Sequence, residues 1–172
     1  MPLQLREVDK LKSELEEFFL EVRAFRGTFR KEAPFTFQGT PTEAYAMMDK
    51  HATDLVIKEA QCKAFNESEE LFELVVTKYQ ETVDTRYELK MLKYVWDMKA
   101  LVLGIFESWN PLLWNDIKTD DLEDICKALL KSLKKMSNDA PVVKGWKVYR
   151  DIEEEIKNMN VLLPLIAYLH SN

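Results

Sequence analysis

The residue types that could carry out chemistry are few and badly spaced. The sequence has two histidines, His51 and His170, and two cysteines, Cys62 and Cys126. His51 and Cys62 fall on one predicted helix, eleven residues apart, which puts them on the same face but roughly 16 Å from each other. A chelating pair on a helix needs a spacing of three or four, as in H-E-x-x-H, and no such pair occurs. His170, beside the terminus, is expected to be solvated. The acidic clusters Glu14-Glu16-Glu17, Glu67-Glu69-Glu70 and Glu153-Glu154-Glu155 fall on the polar sides of predicted helices. A general acid needs a pKa raised by burial, and solvated faces do not provide that. No serine sits in a strand-turn-helix glycine motif. The four glycines, Gly27, Gly39, Gly104 and Gly145, precede no lysine and are too far apart to form a phosphate loop or a dinucleotide fingerprint. These residues therefore predict no catalytic group, no cofactor site and no metal site within the chain.

Two other patterns could recognise a partner. Lys127, Lys131, Lys134 and Lys135 form a stripe opposite a leucine face and could dock on an acidic surface; a plain solvated face is the simpler reading. The tryptophans Trp96, Trp109, Trp114 and Trp146 could stack on bases, but they stand at core spacing without interleaved basic residues, so packing is expected.

The elements that must position these residues are helical. Of 172 residues, 47% are hydrophobic and 31% charged, while glycine and proline number only four and six. That turn-poor composition excludes disorder and disfavours a β-sandwich or barrel. A chain of this length can bury roughly 70% of its unfolded surface. Val8, Leu11, Leu15, Phe18, Val22, Phe25 and Phe29 alternate at spacings of three and four, a heptad seam that must lie against a partner helix of this chain or of another. A break is expected at 33–39. Thr40-Pro41-Thr42-Glu43 then carries a capping residue, a proline at the first helical position and a glutamate three residues after the cap. The helix it opens is expected to end near Phe65, with a short helix carrying Leu71, Phe72 and Leu74 after it. A second capping pattern, Thr77 to Gln80, predicts a central helix running to Trp109, with Val83, Tyr87, Met91, Tyr94, Met98 and Leu101, and Leu92, Val95, Trp96 and Leu103 beside them, covering more than half its circumference with apolar residues. A short amphipathic turn is expected over Leu112 to Ile117.

Thr119 to Ser137 reads as a helix burying Leu122, Ile125, Cys126, Leu129, Leu130, Leu133 and Met136. Its acidic start and lysine-rich end suit the helix dipole. The last helix is expected from Val142, with an interruption at Pro164. The apolar stretch Val161 to Leu169 has no cap after it, which predicts packing partners further along a longer chain. The fold class is accordingly all-α, an elongated bundle of long antiparallel helices whose first member is coiled-coil-like.

The net charge of −6 disfavours nucleic-acid binding, which needs a basic excess on one face. No apolar run approaches membrane-spanning length, and the charged N-terminus does not read as a secretion signal. Two cysteines fit a reduced interior better than a disulfide framework.

Several motifs, in order, resemble the start of the linker region of dynein heavy chains. Tyr87 to Trp96, containing Glu88, Leu89 and Leu92, leads to a segment with Trp109 and Trp114. The helix from Leu122 to Leu133, the stretch Val143 to Trp146 running on to Ile156 to Met159, and Leu163 to Leu169 follow. Upstream, Ala33-Pro34, Gly39 to Ala44 and Glu69 to Leu74 are similar to the segment before the linker, in a form commonest in ciliary heavy chains. The likeness covers about 29–172; the first 28 residues match only coiled-coil periodicity. It implies three ranges: 1–32 as a tail or neck end, 33–76 as a helical segment preceding the linker, and 77–172 as the N-terminal part of the linker. It further implies a piece of an ATP-driven microtubule motor, with ATP and magnesium bound elsewhere in the parent chain. The implied place is the cytoplasmic cytoskeleton of a cilium or flagellum. The implied partners are the rest of the heavy chain, intermediate or light chains or another heavy chain, and microtubules through the parent chain only; nucleic acid and membrane are not expected. The competing class is a helical adaptor that recruits another protein through the Val8 to Phe29 seam.

Overall fold

The computed structural model describes residues 3–109, 111 and 119–170, the side chain of His170 excepted. The predicted turn over Leu112 to Ile117, with Trp114, lies outside the described residues. Five α-helices are present: α1 (Leu3–Glu32), α2 (Pro41–Leu71), α3 (Gln80–Trp109), α4 (Thr119–Asp139) and α5 (Lys147–His170). A 3-10 turn, Pro141–Gly145, precedes α5. The protein is all-α, with no strand among the described residues.

Two compact units form, and they interleave the three expected sequence ranges. One comprises Met1–Ala33 with Ala46–Lys90, the other Pro34–Tyr45 with Met91–Asn172. In the first, Phe18 stacks on Phe65 with ring centres 4.5 Å apart, Lys58 lies 3.9 Å from Glu21, and Phe29 meets His51 edge-on at 5.4 Å. As the α1 number rises the α2 number falls, so the two helices are antiparallel. The start of α3 joins them through Arg26, whose guanidinium donates to Thr85 Oγ1 at 3.0 Å and to Glu88 at 2.6 Å.

The second unit is organised around Trp96, which is fully buried. Its indole N–H donates to the carbonyl oxygen of Pro34 at 2.8 Å. The alternation Phe35-Thr36-Phe37 leaves Thr36 exposed and turns both rings inward, Phe35 to within 4.9 Å of Trp146 and Phe37 to 6.1 Å from Trp96. Phe35 also accepts the Val148 N–H at 3.0 Å, satisfying one of the donors left over in the first turn of α5. Gly39 is needed here because a Cβ would collide with the Phe37 ring and the Glu43 carboxylate. Immediately after it, Thr40 Oγ1 accepts the Glu43 N–H at 3.2 Å, the cap that its sequence predicts. α4 and α5 pack as a hairpin, pinned where the Tyr149 hydroxyl donates to the Leu133 carbonyl at 3.0 Å.

Several expected boundaries are corrected. α2 does not end near Phe65 but continues to Leu71, with Ser68 back-bonding to the Ala64 carbonyl. The short helix expected around Leu71, Phe72 and Leu74 is instead a Schellman-type ending. The Leu74 N–H reaches the Glu69 carbonyl at 2.8 Å and the Glu73 N–H the Glu70 carbonyl at 3.1 Å, with Glu73 left-handed at φ 57°. The Thr77 cap does not form either. Its N–H and hydroxyl both bind the Glu69 carboxylate, and α3 begins at Gln80. Glu69 is thus not on a solvated face; it is 2% exposed. α5 starts at Lys147, after Val143 has been buried by the 3-10 turn, and it passes through Pro164 without ending. The fully buried Leu163 anchors the chain at the point where one helical hydrogen bond is lost.

The broad apolar surface expected for α3 is buried on one side only: Leu92, Val95 and Trp96 face inward as expected, and Met91, Met98 and Leu103 are half-buried. Val83, Tyr87, Tyr94 and Leu101 are exposed, whereas Thr82, Thr85, Leu92, Val95, Trp96, Val102 and Trp109 are buried. In α4, Ile125 is exposed and Ser137 buried, while Leu122, Cys126, Leu129 and Leu133 face inward as predicted.

Two stability measurements check this account. Trp96→Phe strands a buried carbonyl and is expected to cost about 1–3 kcal/mol in urea unfolding. Tyr94→Phe, on the exposed side of the same helix, should stay within about 0.5 kcal/mol; equal midpoints for the two variants would remove the assigned role of the indole. Glu73→Gly relieves a left-handed non-glycine residue and is expected to stabilise by roughly 0.5–1 kcal/mol, net of the extra chain entropy. A loss of stability would show that the Glu73 side chain matters more than its backbone.

Candidate functional site

The groups that chemistry would need are sequestered in the fold. Cys62 and Cys126 are both free and buried. Burial pushes the Cys62 thiol up to about 11, and burial, with Glu123 nearby, also raises Cys126. A thiol held protonated is a poor nucleophile and a poor metal ligand. His51 is buried edge-on to Phe29, and loss of solvation lowers its pKa against the opposing pull of Glu32 and Asp54. Among the described residues no three His, Cys, Asp or Glu side chains come together in a way that could hold a metal ion. Glu69, the buried carboxylate that its polar-looking sequence context conceals, is occupied by Thr77 at 2.6–3.2 Å and closes the loop between α2 and α3.

The heptad seam has a partner in its own unit. Leu11, Phe18, Val22 and Phe29 are buried, and Val8, Leu15 and Phe25 are half-buried. Phe18 and Val22 cluster with Cys62, Phe65 and Tyr79. The Lys58 ammonium lies 5.5 Å over the Phe18 ring and 6.0 Å from that of Phe25. What lies against α1 is therefore α2 and the approach to α3.

The lysine stripe lies on the other unit. Lys127, Lys131, Lys134 and Lys135 are all exposed on α4. The structure adds what the sequence could not: Lys134 borders an open groove of about 480 Å³ between α4 and α5. Leu130 and Tyr149 contribute its apolar lining, and Lys144 and Arg150 join Lys134 at its rim. Glu153, the one carboxylate in the lining, is bound to Lys157 at 2.9 Å. Lys144 comes from the 3-10 turn and Arg150 from α5. Their convergence with Lys134 depends on the hairpin and has no signature in the linear sequence.

The residues that carried the family likeness have definite positions. Glu88 accepts from Arg26, Leu89 is half-buried, Leu92 fully buried and Trp109 buried beside Phe106 at 5.2 Å. Val143, Ile156 and Leu163 are fully buried, and Trp146 is half-buried. These side chains serve packing, so fold and site together describe a helical scaffold segment.

Comparison with known proteins gives that segment its family. Residues 82–172 match the model of the dynein heavy chain, N-terminal region 2. Over 99% of its length the chain is 31% identical to the dynein alpha chain of the flagellar outer arm of Chlamydomonas reinhardtii. Over the same share it is 28% identical both to dynein axonemal heavy chain 17 of Homo sapiens and to the ciliary dynein beta chain of Tripneustes gratilla. It spans about 4% of the length of each of these relatives. The chain belongs to the dynein heavy chain family. No helix among the described residues is long and apolar enough to cross a membrane.

Thiol chemistry tests the sequestration directly. In the folded protein both cysteines should react with an aromatic disulfide reagent near pH 8 at least about tenfold more slowly than after unfolding in guanidinium. Fast titration of either thiol in the native state would contradict its burial.

Proposed function

We propose that this chain acts as the tail-proximal end of the linker of a dynein heavy chain, passing displacement between an ATPase ring and a tail without catalysing a reaction itself. The observation that carries this reading is the match of residues 82–172, which begins within α3 and extends through α4 and α5, to the N-terminal region of the family. Three further features support it. The described elements are long helices, a sensible material for a part that transmits force. The four glycines form no phosphate loop, so nucleotide would be bound elsewhere in the parent chain, with magnesium. Trp96 and Lys99 anchor the second half of α3, Lys99 by an ion pair to Glu155 of α5.

In this reading the parent protein is an ATP-driven microtubule motor of a cilium or flagellum. Its axonemal, flagellar and ciliary relatives favour that place. The partners are the remainder of the heavy chain, together with intermediate or light chains or a neighbouring heavy chain.

The test uses the full-length heavy chain. Met98→Pro, in the middle of α3, removes a helical hydrogen bond and bends the helix, at a cost of about 3 kcal/mol locally. Microtubule gliding should slow at least about twofold while basal ATP hydrolysis stays near its original rate. Lys99→Met, which removes the ion pair and keeps the helix, provides a milder companion and should slow gliding less. Unchanged gliding by a folded Met98→Pro motor would reject the lever role.

A further inference from the structure

We infer that the groove between α4 and α5 is a docking site for an acidic segment of a second polypeptide, one whose carboxylates face Lys134, Lys144 and Arg150 while an apolar side chain seats on Leu130 and Tyr149. The inference goes beyond the lever role and does not depend on it.

Charge complementarity carries it. The chain is acidic overall, at −6, yet this surface gathers cations. Elsewhere several basic side chains are neutralised by a carboxylate: Arg26 by Glu88, Arg86 by Glu59, Lys99 by Glu155, Lys147 by Asp151 and Lys157 by Glu153. Among the described residues Lys134, Lys144 and Arg150 have no such ion pair, nor do Lys127 and Lys131, about two turns and one turn before Lys134 on the same helix. The one carboxylate in the lining, Glu153, is already neutralised by Lys157. The site therefore presents three uncompensated positive charges around an apolar floor, with two more along the approach.

The lining also suits a peptide better than a bare anion. Tyr149 is buried and held in place by its hydroxyl bond to the Leu133 carbonyl, so the floor is rigid. Leu130 is half-buried beside it. An inorganic anion would gain nothing from that apolar surface. An acidic segment bearing a leucine or phenylalanine would use both parts, the charges giving orientation and association rate and the apolar contact slowing dissociation. The forked guanidinium of Arg150 matches a carboxylate in a bidentate arrangement, whereas the two lysines act as point charges.

Lys135 provides the internal control. It belongs to the same exposed stripe but does not line the groove. Its charge should matter only through the screened general field, which fades over about 8 Å at physiological ionic strength.

The test is fluorescence anisotropy of the full chain with a labelled short peptide of glutamates interrupted by leucines. Binding should weaken steadily with salt. The double reversal Lys134→Glu with Arg150→Glu should weaken it at least about tenfold, and Lys135→Glu less than about twofold. All three substituted residues are exposed, so the variants should keep the parent circular dichroism spectrum. Replacing the leucines of the peptide by serine should weaken binding several-fold, and unchanged binding would remove the apolar seat on Leu130 and Tyr149 and overturn the proposal. The proposal is overturned if Lys135→Glu matters as much as the double reversal, if a lysine-for-glutamate peptide binds equally well, or if oligothymidylate binds as tightly as the peptide. The last result would mark a general polyanion surface.

Discussion

The hydrogen bond from the Trp96 indole to the Pro34 carbonyl is the constraint on which the larger unit depends. An aromatic of this size buries on the order of 150–250 Å², and its one polar atom must find an acceptor once water is excluded. Pro34 supplies that acceptor from an irregular segment, and supplying it fixes the path of the following residues. Phe35 and Phe37 then reach Trp146 and Trp96, and the Phe35 carbonyl meets the first turn of α5. Gly39 lets the Phe37 ring fold back before Thr40 starts α2. A loop of a few residues therefore sets the placement of two helices in that unit, each through a backbone carbonyl. Replacing the apolar parts by others of similar volume would cost little by comparison with stranding one of those carbonyls.

The smaller unit solves the same problem with a charge. Between α2 and α3 the chain must turn back, and the Glu69 carboxylate collects both the N–H and the hydroxyl of Thr77 at the turn. Hydrogen bonds to an ionised acceptor are roughly twice as strong as neutral ones, which helps offset the cost of burying the group. α2 can then end on Glu73 in a left-handed conformation that glycine would adopt more easily, because the loop beyond it is already held. Arg26, with Thr85 and Glu88, ties α1 to the start of α3 in the same manner, by a partly buried charge with more than one partner. The seam of α1 packs within this unit, where Phe18 and Val22 meet Phe65, Cys62 and Tyr79.

What could be read from the sequence, and what could not, follows from these devices. The all-helical architecture, the α1 seam, the Thr40 cap and the inward leucines of α4 each rest on local periodicity or capping chemistry, and the structure contains them. The buried side of α3 was legible only in part, at Leu92, Val95 and Trp96. Its buried row includes Thr82 and Thr85, whose hydroxyls satisfy themselves on the Tyr79 and Glu81 carbonyls, and counting apolar residues passes over them in favour of Tyr87, Tyr94 and Leu101. Likewise Pro164 looks like a breaker but stands inside α5, since tertiary packing outweighs a local cost of about 3 kcal/mol. The burial of Glu69 and the meeting of Lys134, Lys144 and Arg150 are consequences of long-range packing, for which a linear pattern has no sign. The lysine stripe itself was visible, but its use depends on which of its members the hairpin brings to a groove.

That last distinction shows how this chain divides labour between its side chains. Surface ion pairs one helical turn apart, such as the half-buried Lys147 with Asp151 and the more exposed Lys157 with Glu153, add little to stability, and salt weakens them further. The fully buried Trp96, Leu133, Ile152 and Ile156 contribute several-fold more apiece by leaving water. Stability thus rests on the interior and on a few satisfied polar anchors, and the surface charges are spared from holding the fold. A helical scaffold held together by its interior can place those charges for recognition at little cost to folding. In an acidic chain a cluster of uncompensated cations is unfavourable to leave unpaired only to the extent that solvent fails to screen it. On a solvated rim the penalty is small, while the gain on meeting an acidic partner across an apolar floor is larger, because contact expels the water that screened the charges. The groove between α4 and α5 has that combination, and the fold maintains it through the same Tyr149 hydroxyl that pins the hairpin together.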